Sequence, residues 1–116
     1  VNVLFIILAI LLGGISAFSA SSKLRKDPKL VAQLTGLGVS QSQIPLLATL
    51  ELLGALGLLV GIFVQPIGVA AAVGLFLYFV GAVIAHLLAK DSIKVALAPL
   101  VIAIVALVVT ILELKR

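Results

Sequence analysis

Ala48-Thr49-Leu50-Glu51-Leu52-Leu53-Gly54-Ala55-Leu56-Gly57-Leu58-Leu59-Val60-Gly61 is apolar, glycine-spaced and interrupted by one carboxylate. It sits inside a longer run, Ile44–Val64, that is long enough to cross a bilayer as a helix, which takes about 20 residues. At 100° per residue, Glu51, Leu47, Gly54, Leu58 and Gly61 share one side of that helix. The carboxylate therefore faces the side whose glycines allow another helix to approach closely. Gly57-x-x-x-Gly61 is a helix-packing spacing of the same kind.

Composition extends this reading to the whole chain. Of 116 residues, 64% are hydrophobic and 10% charged, with mean hydropathy +1.45. A soluble domain has roughly 45–50% apolar and about 25% charged residues, so water is excluded as the solvent. With no cysteine or methionine and a single histidine, one chain lacks the ligands for iron–sulfur, bis-histidine haem or copper sites. No Gly-rich phosphate loop follows a strand, and no serine stands in a hydrolase motif. No metal and no cofactor are expected. The net charge of +4 is gathered at span ends and is not a nucleic-acid signal; it serves to orient a membrane protein.

Four stretches qualify as spans, at about 3–21, 44–64, 67–89 and 93–114 of one domain, 1–116. Gln65-Pro66 is expected to end the second. The first carries Gly13, Ser16, Ala17 and Ala20 in one narrow stripe, with Leu11, Ile15 and Phe18 facing away. No Lys or Arg precedes Lys23, so it lacks the positive start of a cleaved signal and is expected to be retained. On the fourth, Ala96, Pro99, Ala103, Ala106 and Thr110 form a small-residue face. Glu113, beside Lys115 and Arg116, is expected to be solvated.

Ser22–Gln43 is the long polar connection. Asp27-Pro28 reads as an N-cap followed by proline at the first helical position. Leu30, Val31, Leu34 and Leu37 then recur on one face, and Gly36 and Gly38 supply a stop. This predicts an amphipathic helix at about 28–37, lying at the membrane surface; the plain alternative is a polar loop. Ser40-x-x-Gln43 is a capping-box pattern before the second span. The fold class is all-α: a bundle of four transmembrane helices with a short amphipathic helix between the first and second. Lys23, Arg25, Lys26 and Lys29 follow the first span, and Lys90 and Lys94 the third. The positive-inside rule puts these loops in the cytoplasm and both termini outside, in a bacterial cytoplasmic membrane.

Ionisable groups inside a bilayer are rare and are functional by default. Glu51 lies in the cytoplasmic half of the second span and His86 near the cytoplasmic end of the antiparallel third. Lys23 ends the first span at the same level, with Ser19, Ser21 and Ser22, and Tyr78 lies toward the edge of the His86 face. Glu51, His86, Lys23 and Tyr78 are the candidate binding residues. Gly54, Gly57, Gly61, Gly13 and Ala17 are the candidate packing residues. A Glu51–His86 hydrogen bond fits the topology. The bland reading makes Glu51 a neutral interhelical link and Lys23 an interface anchor.

Lys23-Leu24, Glu51-Leu52-Leu53-Gly54, Gly57-Leu58, Gly61, Pro66 and His86, with Pro28, Val31 and Leu34 between, resemble the DoxX-like family of small membrane proteins over nearly the whole chain. The resemblance implies four helices. It also implies an accessory, non-catalytic subunit of a membrane redox system, contacting quinone or lipid, within a membrane protein complex or a homo-oligomer. Other members of the family act as assembly factors, so a structural protein binding partner helices is the alternative. A small proton- or solute-coupled carrier working as an oligomer is the third.

Overall fold

The computed structural model describes residues 3–90 and 93–116. The chain forms α1 (Val3–Leu24), α2 (Pro28–Gly36), α3 (Ile44–Gly61), α4 (Gln65–Leu88) and α5 (Ile93–Leu114), with a 3₁₀ turn, Gln41–Gln43, leading into α3. Four of these are long and apolar enough to cross a membrane. The molecule is 41 Å along its longest axis, about the thickness of a bilayer with its head groups. α1 packs on α3, α3 on α4 and α4 on α5, with a lighter α1–α5 contact closing the ring.

The helix ends follow local chemistry. The Asp27 carboxylate accepts from the Lys29 N–H, capping α2. Gly38, at φ 91°, ends α2 in a Schellman turn, with the Val39 N–H donating to Leu34 O at 3.0 Å and Gly38 N–H to Thr35 O at 3.1 Å. That left-handed backbone is what glycine supplies. Before α3, the Gln43 side chain accepts from the Ser40 N–H, as the capping box requires. Two boundaries differ from expectation. α1 continues to Leu24 and carries Lys23 into the bundle. Gln65-Pro66 opens α4 rather than ending the second span, and α3 stops at Gly61. The physical reason is that proline lacks only an N–H that a first helical turn does not use. The expected break at Lys90-Asp91-Ser92 falls partly outside the described residues.

α1 ends in the same Schellman geometry as α2, but its left-handed residue is Lys26, at φ 55°; the Asp27 N–H donates to Ser22 O and the Lys26 N–H to Lys23 O. A side chain in that region costs roughly 1–2 kcal/mol. Lys26→Gly should therefore raise stability by about 1 kcal/mol, read as a higher unfolding midpoint in detergent. An unchanged or lower midpoint would mean that the Lys26 charge at the helix C-terminus outweighs the strain.

Unlike a soluble bundle, the chain is apolar on its outer sides as well as in its core. Phe18, Leu53, Phe63 and Leu77 are exposed, and such residues cover the sides that meet lipid. The interior is built from Phe5, Ala9, Leu12, Leu58, Ala72, Leu75, Phe79, Ala103, Ala106 and Val109. Small residues let backbones approach. A Cβ on Gly54 would strike the Leu75 side chain, one on Gly57 the Ala71 Cβ, and one on Gly61 the backbone of Gly68. The glycine side of α3 is thus consumed against α4. On α1, Gly13 faces Ala55 O of α3, and Ala17 is half-buried beside it.

Candidate functional site

Lys23, Glu51, Tyr78 and His86 come together at one end of the bundle, on α1, α3 and α4. Each owes its place to helix periodicity. Glu51 is three residues from Ala48 and four from Ala55, both buried on the same side of α3. His86 is seven residues, two turns, beyond buried Phe79. Lys23 follows Ser16 and Ala20 on the buried stripe of α1. The Lys23 Nζ donates to Glu51 Oε1 at 2.6 Å and to Ser19 Oγ at 2.8 Å. With Lys23 6% and Glu51 0% exposed, this is a buried ion pair and not an interface anchor. The partner of Glu51 is thus Lys23 on α1. His86 is buried at the same end of the bundle and lines the same cavity. Lys23 also stands 5.9 Å from the centroid of the Tyr78 ring, over its face. The Tyr78 side chain borders the same cavity as Glu51.

These four side chains line one cavity of about 420 Å³. Its roof is α2, through Leu30, Gln33 and Leu34, with Leu37 just past the helix end, and its far wall is Ala98, Pro99 and Ile102 of α5. The amphipathic face of α2 is therefore laid over the mouth of the bundle. None of its residues is fully buried, and it touches α1 only lightly. A second cavity, of about 760 Å³, lies on its other side and shares Lys23, with Lys26, Thr35 and Gln41 in its wall. The arrangement combines a mostly apolar chamber with a paired cation and anion, a phenol and an imidazole at one end. That is the pattern of a small-molecule site: apolar walls with a few convergent polar groups.

The opposite end holds a polar cluster that differs from expectation. Glu113 is not solvated; it is fully buried and its Oε1 is paired with Arg116 Nη1. Its Oε2 rests in a notch made by Gly61 and Gly68, where a Cβ at Gly68 would overlap it. Gln65 donates to the Glu113 carbonyl at 2.7 Å. Arg116 also donates to Gly61 O and Ile62 O, satisfying carbonyls that the end of α3 leaves without helical partners. Its guanidinium lies 4.8 Å from the centroid of the Phe5 ring. The signal for this burial is in the sequence: Glu113 continues the Ala96, Ala103, Ala106, Thr110 face by one further step of three.

Comparison with known proteins gives one match. The model of the DoxX-like family covers residues 7–109. That range takes in Lys23, Glu51, Tyr78 and His86 and stops short of Glu113 and Arg116. No curated protein and no solved structure matches the chain.

Proposed function

Since this chain belongs to the DoxX-like family, as an integral membrane protein of four apolar helices, we propose that it binds a membrane amphiphile in the α2-roofed cavity and serves a membrane redox system as a non-catalytic accessory subunit. The observation that carries the ligand half is the Lys23–Glu51 pair set in the wall of an apolar chamber. A buried ion pair is weak evidence for stability, because desolvation offsets most of its attraction. A pair placed in a cavity wall is better matched to orienting a polar head group, quinone or lipid, whose tail the apolar lining accepts. The redox half rests on family resemblance. The basic loops Lys23–Lys29 and Lys90–Lys94 are read as cytoplasmic on their charge.

The test is what stays bound after mild detergent extraction. Native mass spectrometry of the wild type should show a retained amphiphile. Ala82→Trp fills the cavity from its half-buried α4 wall and should lower occupancy at least about tenfold, or ~1.4 kcal/mol. Equal occupancy in both proteins would remove the cavity as the site. A bare wild-type protein would remove the ligand reading.

The second reading, an assembly factor docking partner spans, has one specific support. Gly54, Gly57 and Gly61 are occupied within the chain, but Gly14 has open space beyond it, and it lines a shallow α1–α3 groove with Ala17. Gly14→Leu should leave the bundle folded. In this reading it would separate the protein from its partners in co-purification, whereas Ala82→Trp would not.

A further inference from the structure

Resting on the cavity being a ligand site, we infer that its ligand is a neutral amphiphile with a hydroxyl head and a single apolar chain, the head held at Glu51 and the chain leaving sideways between α3 and α4. The head group follows from an open valence on a carboxylate in the wall. Glu51 Oε1 is taken by Lys23, while Oε2, fully buried, has no protein donor. A buried carboxylate oxygen without a donor is costly, so the matching ligand donates a hydrogen bond. An ammonium head would stand beside the Lys23 cation, and a phosphate or carboxylate head beside Glu51. Both are repelled in a low-dielectric site. A hydroxyl avoids both, and its oxygen can accept from the neighbouring Tyr78 phenol.

The tail path follows from a second feature. A groove of about 590 Å³ on the outer face of α3 and α4 is lined by Gly54, Gly57, Ala70 and Gly74. It shares Leu77 and Tyr78 with the polar cavity. Tyr78 therefore stands between chamber and groove and borders both, and the groove opens toward lipid, where Leu53 and Leu77 are exposed. From Glu51 to Gly57 along α3 is about 9 Å at 1.5 Å per residue, so a chain of several methylenes can follow the small-residue floor. Entry is from the bilayer and does not require α2 to lift.

The experiment uses the detergent-solubilised full chain and three probes: farnesol, its methyl ether, and the short alcohol prenol. Farnesol should bind at least about tenfold more tightly than the ether, which keeps the tail but cannot donate. Gly74→Phe fills the groove from a position where an added Cβ meets nothing, so the fold should be kept. It should weaken farnesol at least about tenfold and leave prenol unchanged. Equal binding of alcohol and ether would overturn the hydroxyl requirement while the amphiphile reading stands. Farnesol binding unaffected by Gly74→Phe would overturn the lateral path. If neither long probe binds, the inference fails. Retention of some other amphiphile by the wild type, lost in Ala82→Trp, would then show that the cavity reading itself survives.

Discussion

Lys23→Met should destabilise the bundle by about 3–5 kcal/mol, the usual cost of removing one partner from a buried pair. The change leaves Glu51 fully buried, seven residues inside α3, on a side chain too short to reach the interface. Glu51→Met should cost less, about 1–3 kcal/mol. The orphan is then a lysine one residue from the end of α1, whose long stem can carry the ammonium out to the head groups. The double variant should recover most of either loss, because an apolar pair of similar volume needs no desolvation. Reversible unfolding in mixed micelles reads all three. Equal losses in the two single variants would show that Lys23 is held as rigidly as Glu51. A double variant no better than Lys23→Met would show that the pair is not the reason for the loss.

Gly68→Ala is the second large effect. Its Cβ would be driven into the Glu113 carboxylate, a buried group held by Arg116 on one side and by the α3–α4 crossing on the other. Ordinary overpacking costs about 1–3 kcal/mol. Here the atom that must move is charged and already paired, so the loss should lie at or above the top of that range. Gly61→Ala should behave alike, since its Cβ meets the Gly68 backbone, which cannot rotate away. Gly57→Ala meets only Ala71, 2.8 Å from its Cβ, and should be milder. Gly81→Ala meets nothing and is the control. If Gly68→Ala unfolds no more easily than Gly81→Ala, the glycine notch is not what seats Glu113.

The residues that were readable in advance are those whose position follows from periodicity. Glu51, His86 and the stripes of α1 and α5 lie on the interior because 3.6 residues per turn puts them beside alanines and glycines. The amphipathic helix and its caps were readable for the same reason, Asp27-Pro28 at one end and Gly38 at the other. Glu113 departs from the solvated position that its neighbours Lys115 and Arg116 suggest, because α3 and α4 close over it. Its helix face, shared with Ala106 and Thr110, was the better guide. The partner of Glu51 was also beyond reach. His86 and Lys23 both stand at its level, and choosing between them needs the crossing of α1 over α3.

By itself the sequence determined the number of spans, the amphipathic helix between the first two and the end at which Lys23, Glu51 and His86 gather. Those properties are local: hydropathy summed over about 20 residues, the period of the helix and the chemistry of its caps. Tertiary structure alone decided that Lys23 reaches Glu51, that α2 closes a chamber over them, and that Arg116 ties Glu113 to the end of α3. Whether a buried charge is satisfied depends on atoms brought within hydrogen-bond reach by neighbouring helices. No periodicity within one helix carries that information.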